Sequence, residues 1–209
     1  TYSIPPRTAI TGLIGAILGL DKTEYLNHFS KKDADIAVQV LNPIKKVTLS
    51  ENLIDTKKAG TSMNRIQQRT QIRVELLKDP KYRIYINHKN EELMQKLVEF
   101  IEEHKTVYTP CLGVSEHIAN FSMNGVYDAD TIDTEDMIRI CTVIPENNIT
   151  EMEFETGFEY IQENLPNEMT TDRVVTEYAS VIIEQKTQAM KASVKNLTWL
   201  ENGDHIVFL

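Results

Sequence analysis

Residues 2–21 read YSIPPRTAITGLIGAILGLD, and this stretch decides how the rest of the chain is read. Pro5 and Pro6 fix the entry backbone, and proline is tolerated at a helix start, where amides lack partners in any case. Ile10, Leu13, Ile14, Ile17 and Leu18 then recur at helical spacing and give one apolar face. Gly12, Gly15, Ala16 and Gly19 form a stripe of small residues. A glycine inside a helix costs up to about 1 kcal/mol relative to alanine, so glycines at this density imply close packing against a neighbour. Gly19 suits the C-cap. The stretch therefore reads as a buried core helix. The apolar run from Ala9 to Leu20 is far short of the roughly 20 residues a membrane span needs. No lysine-serine or lysine-threonine pair follows the glycines, so this is not a phosphate loop.

At 209 residues the chain fits one domain, or one with an appendage, and can bury a real core. Cys111 and Cys141 have no metal-ligand spacing and form no framework, which suits a reducing cytoplasm. A net charge of −9 argues, taken alone, against nucleic acid. Its distribution argues the other way. Between Lys45 and Arg73, seven basic residues (Lys45, Lys46, Lys57, Lys58, Arg65, Arg69, Arg73) stand against Glu51 and Asp55. Between Asp128 and Glu168, twelve acidic residues stand against Arg139 alone. Such asymmetry points to one surface for a polyanion and another that avoids it.

Beyond the helix and a polar loop, Asp33–Leu41 alternates as a strand, and Ile44–Leu49 resumes after Asn42-Pro43. Ser50–Gln68 has no strong period and reads as a long exposed loop or arm; loops of this length are uncommon and often functional. Arg69–Asn87 reads as a hairpin turning at Asp79-Pro80. Arg73, Arg83 and Tyr85 fall on its polar faces, which suit either an ordinary wet sheet face or phosphate contact and base stacking. Asn90 is a good N-cap for a helix carrying Leu93, Leu97 and Ile101. Val107 onward is expected to supply a closing strand, and Glu116–Asn120 a short helical run. Tyr127–Thr134 reads as turn material and Ile138–Ile144 as a strand, while 147–169 is acidic and weakly patterned. Val174–Glu184 is β-rich. Asn202-Gly203 marks a hairpin between Leu197–Leu200 and His205–Leu209.

PPRTAITGLIGAILGLD resembles the N-terminal signature of the Cas-five family, the CRISPR-associated subunit of type I Cascade complexes, most closely its type I-B branch. Thr109–Phe121, TPCLGVSEHIANF, resembles the family's mid-chain motif, and the ending DHIVFL is similar to its last strand. The family normally carries a β-strand before the first motif. This chain begins without that strand and without Met, so its N-terminus reads as incomplete. The resemblance implies an α+β fold: a ferredoxin-like (RRM-like, RAMP-type) domain over 1–110, lacking its first strand here, with a β-hairpin arm at about 44–72. A mostly β region would follow over 111–209.

The implied function is a non-catalytic Cascade subunit, cytoplasmic and without cofactor, metal or membrane. It would cap the 5′ handle of CRISPR RNA, dock the first Cas-seven backbone subunit and the large subunit, and meet target DNA only through the complex. Candidate RNA contacts are Arg7, Lys45, Lys46, Lys57, Lys58, Arg65, Arg69, Arg73, Arg83 and Tyr85, with Met63 or Ile66 as a wedge beside a base. Two competing readings are a metal-independent endoribonuclease and a protein scaffold with no RNA affinity of its own. A ribonuclease needs a general base and a general acid; His117 beside Glu116, or His28 near Tyr25 and Lys22, are the candidates. One branch of the family cleaves its RNA precursor, and the branch resembled here leaves that to a separate enzyme.

Overall fold

The computed structural model describes residues 1–54 and 69–209. Its architecture is α+β, with few helices and several small antiparallel sheets. Helix α1 (Arg7–Leu18) begins after Pro6 and ends at Gly19, whose φ of 78° and amide bond to Gly15 O make a left-handed C-cap. A short α2 (Tyr25–His28) and strand β1 (Ala34–Val40) follow, then β2 (Lys46–Ile54), β3 (Arg69–Leu77) and β4 (Tyr82–His88). Helix α3 (Glu91–Glu102) opens with the Asn90 side chain accepting from Leu93 N at 3.0 Å.

The central sheet among the described residues is the antiparallel pair β1–β4, registered Ile36↔Ile86, Val38↔Ile84 and Val40↔Tyr82. These residues face one side, and α1 and α3 cover them through Ile10, Ile14, Ile17 and Leu97. The outer edge of β1 is occupied too: Val143 N donates to Val38 O and Leu209 N to Ile36 O, both at 2.9 Å.

Asp79-Pro80 does connect β3 to β4, but the two strands do not pair as a hairpin. β3 pairs with β2 in an unbroken register from Lys46↔Leu77 to Ile54↔Arg69, and β4 pairs with β1. The strand expected over Ile44–Leu49 therefore starts at Lys46 and runs on through Ile54, where a loop was expected. Glu51 breaks its apolar alternation and hides it from the sequence. Val107 supplies no strand either. Instead Val107 N and Tyr108 N donate to Ile17 O and Ala16 O, capping the last carbonyls of α1. Glu116–Asn120 forms no helix; it closes a tight loop through a bridge between Cys111 and Ile118.

Past residue 128 the regular elements are strands, apart from one 3-10 turn at Glu146–Asn148. Strands β5 (Ala129–Ile132), β12 (Leu197–Leu200) and β13 (His205–Ile206) form one sheet, in which Asn202-Gly203 turns the expected hairpin. The second comprises β6 (Ile138–Ile140), β11 (Met190–Val194) and β8 (Ile149–Glu153), and the third β7 (Ile144–Pro145), β10 (Val175–Glu184) and β9 (Tyr160–Met169). The weakly patterned 147–169 region thus contains two strands. The main core draws on both sides of residue 110, since Val143, Leu165, Val181 and Ile183 pack with α1 and β1.

The glycine stripe of α1 is explained inside the chain. A Cβ on Gly15 would lie 3.0 Å from Tyr25 Cβ, and one on Gly19 would lie 2.7 Å from Val107 Cγ2. Close packing against a neighbour is what the sequence implied, and Tyr25 and Val107 are the neighbours.

Candidate RNA-binding surface

The β2–β3 ribbon has two chemically different faces, because directly opposed residues share a side and successive residues alternate. The register puts Lys46, Thr48, Ser50, Asn52, Arg69, Gln71, Arg73 and Glu75 on one face, with Ile54 and Leu77 at its two ends. Val47, Leu49, Leu53, Ile72, Val74 and Leu76 lie on the other, interrupted by Glu51 and Thr70. Leu49 and Leu53 are each about half exposed, at 50% and 49%. A two-stranded ribbon is marginal by itself in water, and the half-buried Val47, Ile72, Val74 and Leu76 beside the exposed Leu49 and Leu53 make this its more apolar side.

Of the basic residues expected to meet RNA, Lys45, Arg69 and Arg73 are exposed on or beside this ribbon. Lys46 sits at its base. Its Nζ donates to Thr1 O at 2.6 Å and stands 3.8 Å from both Glu75 and Glu163. Lys57, Lys58 and Arg65, like Met63 and Ile66, lie outside the described residues.

Arg7, Arg83 and Tyr85 belong elsewhere. Arg7 is buried, at 2% exposure; its Nη1 donates to Glu168 Oε1 and its Nη2 to Ala34 O, each at 2.8 Å. Burial holds its pKa below the ordinary arginine value against the pull of Glu168. No face of this guanidinium is open to a phosphate, so its placement corrects the expectation. The sheet face of Arg83 and Tyr85 is not open either. Leu200 and Ile206 from the β12–β13 hairpin cover it, packing on Ala37 and Tyr85. Tyr85 Oη donates to Asp204 Oδ2 at 2.9 Å and lies 3.0 Å from Gln39 Oε1, while Arg83 Nη1 stands 3.5 Å from the same Asp204 oxygen. Burial drives the Tyr85 phenol far up and the Cys141 thiol beside it to about 11. These groups fasten the C-terminal region onto the sheet.

Among the described residues the histidines converge on no site. His88 accepts from Asn90 N at Nδ1 (2.9 Å), which leaves its Nε2 to donate to His28 O at 2.7 Å. His104 stacks on Phe121 with centroids 4.7 Å apart. His117 offers its backbone to the Cys111–Ile118 loop through its bonds with Leu112 and Val114. No cluster of metal-ligating side chains occurs among the described residues. No helix among them is long and apolar enough to cross a membrane.

A family model described as CRISPR-associated protein (Cas_Cas5) matches residues 1–185. The chain belongs to the Cas5 family. Membership makes this Cas5 protein a CRISPR-associated Cascade subunit, one that works with CRISPR RNA and other Cas subunits in defence. A search of curated proteins finds no match. The match begins at residue 1 and so includes α1 together with the ribbon.

Proposed function

We propose that this Cas5 protein is the non-catalytic subunit that caps the 5′ handle of CRISPR RNA in a type I Cascade complex, of the I-B kind. The observation that carries the reading is the two-faced ribbon. A projecting pair of strands with Arg69 and Arg73 on one side and a mostly apolar face with Leu49 and Leu53 exposed on the other suits simultaneous contact with a polyanion and a protein. The polar face, with Lys57, Lys58 and Arg65 next to it in sequence, meets handle phosphates. The apolar face docks against the neighbouring backbone subunit, and the large subunit completes the cap. Target DNA reaches this subunit only through the assembly.

The test is binding of the complete chain to labelled CRISPR RNA, with and without its handle, across a salt series, followed by a denaturing gel. Handle-dependent binding to intact RNA is expected. Each phosphate contact made by a lysine or arginine should add about 0.7 to the slope of log affinity against log salt. Reversing Lys57, Lys58, Arg65 and Arg69 to Glu should abolish binding, and unchanged affinity removes the ribbon from the reading. Discrete metal-free cleavage would install the ribonuclease reading in its place. Tight assembly with no RNA affinity at any salt would install the scaffold reading.

A further inference from the structure

A groove of about 610 Å³ runs along the outer face of α1, far in sequence from the ribbon. Its floor is the helix backbone at Gly12 and Ala16, with Tyr25 beside it. Tyr108 stands at its wall, 56% exposed, and is held in place because its own amide bonds to Ala16 O at 2.9 Å. Lys22, from the loop after α1, and Arg173, from the turn joining β9 to β10, complete the lining. These two cations are separated by most of the chain and meet only through the fold.

Arg7, Lys31, Lys46, Arg83, Arg139, Lys186 and Lys191 each have a carboxylate within ion-pair distance. Lys22 and Arg173 are exposed and, like Lys45, Arg69 and Arg73 of the ribbon, have no such partner among the described residues. The acid in the lining, Asp21, has its carboxylate tied to Thr23, accepting from N at 2.8 Å and from Oγ1 at 2.6 Å. Two exposed cations, an exposed aromatic ring fixed at its root and a floor of small residues, Gly12, Gly15 and Ala16, form a set that matches a nucleotide. Single-stranded RNA presents splayed bases that stack on aromatic rings, while its phosphates seek lysine and arginine. The volume is within the range of small-ligand clefts, about 300–1,000 Å³.

We propose that this groove seats a nucleotide of single-stranded RNA, its base against Tyr108 over the Gly12–Ala16 floor and its phosphate at Lys22 and Arg173. The inference rests on the RNA-binding reading above and adds a second contact region to it. The RNA path would then run from the ribbon to the outer face of α1.

The experiment uses the complete chain and handle RNAs carrying a photoreactive thio-uridine at one position at a time. Irradiation should crosslink at least one position to the peptide bearing Tyr108. The K22A/R173A variant should reduce the salt slope by about 0.7, the value for one phosphate contact on a single strand. Y108A should weaken binding roughly tenfold, with Y108F close to the parent. Crosslinks confined to the ribbon, with groove variants binding like the parent, overturn the groove and leave the RNA reading standing. A parent chain that binds no handle RNA overturns both. Groove variants that keep full RNA affinity but no longer assemble with their protein partners also overturn the inference, giving the groove to a protein. Crosslinking on the parent chain keeps the result independent of how any variant folds.

Discussion

Arg7 Nη1 and Glu168 Oε1 lie 2.8 Å apart and join the first turn of α1 to the end of β9 across 161 positions of sequence. Glu168 also accepts from Lys31 N at 2.7 Å, so it has a second partner and Arg7 has Ala34 O. Removing the carboxylate leaves a buried cation short of its counter-charge. E168A is therefore expected to cost about 3 kcal/mol, the low end for breaking a buried pair, because Glu168 itself is partly exposed. Replacing both partners, as R7M/E168L, should recover much of that loss. Urea midpoints measure both. RNA affinity per folded molecule should not change in either variant; a loss confined to binding would return Arg7 to the RNA surface.

The neighbouring glycines of α1 should respond oppositely to alanine. A methyl on Gly12 would meet Tyr25 Oη at an ordinary 3.7 Å, whereas one on Gly15 would meet Tyr25 Cβ at 3.0 Å. G12A should stabilise by up to about 1 kcal/mol through helix propensity. G15A gains the same propensity but must displace a buried ring, and overpacking of this kind costs about 1–3 kcal/mol. Thermal melts of the two variants side by side decide the matter, and equal shifts would contradict the packing described.

Alkali should unfold the protein through its buried phenols. Tyr82 donates to Ser3 O at 2.8 Å, and burial, with Glu163 nearby, pushes its pKa up to about 12. The unfolded chain releases this proton near the ordinary value of about 10, while the folded chain keeps it. The stabilisation is thus complete below pH 10 and is lost as pH rises toward 12. The slope from this one group is at most about 1.4 kcal/mol per pH unit. Y82F should flatten the dependence of the urea midpoint on pH above 10, and an unchanged slope would show that Tyr82 titrates normally.

The apolar ribbon face should matter to assembly and not to folding. Leu49 and Leu53 are exposed, so L49R/L53R should change stability by no more than about 0.5 kcal/mol per site. Co-purification with the Cascade backbone subunit should fail. Retained assembly would show that this face is simply wet.

Elements whose period lies within themselves were legible from sequence. The spacing of Ile10, Ile14 and Ile17, the alternation of Ile36, Val38 and Val40, the cap at Asn90 and the turn at Asn202-Gly203 all appear as read. What pairs with what was not legible, because β3 and β4 have equally good strand patterns and sequence adjacency favours the wrong partner. Arg83 and Tyr85 looked like an open polar face for a related reason. Nothing local to them announces that residues 197–208 return to cover it. Arg7 looked like a surface cation because its acceptors, Ala34 O and Glu168, are remote. Lys22, Tyr108 and Arg173 carried no joint signal, since the groove exists only once three distant segments meet.

The bond from Lys78 N to Lys45 O, 2.8 Å long, ties the ribbon at its neck, and β1 and β4 meet directly on the inner side of that knot. The entire projection is thus an insertion between two strands that would pair without it. Closing a longer or shorter excursion between them changes the entropy of closure only logarithmically, about 0.6 kcal/mol per doubling of length. Reach and core stability are therefore nearly decoupled in this architecture. The length of the ribbon is free to drift with the geometry of whatever it must grasp, while the strands that anchor it stay as they are.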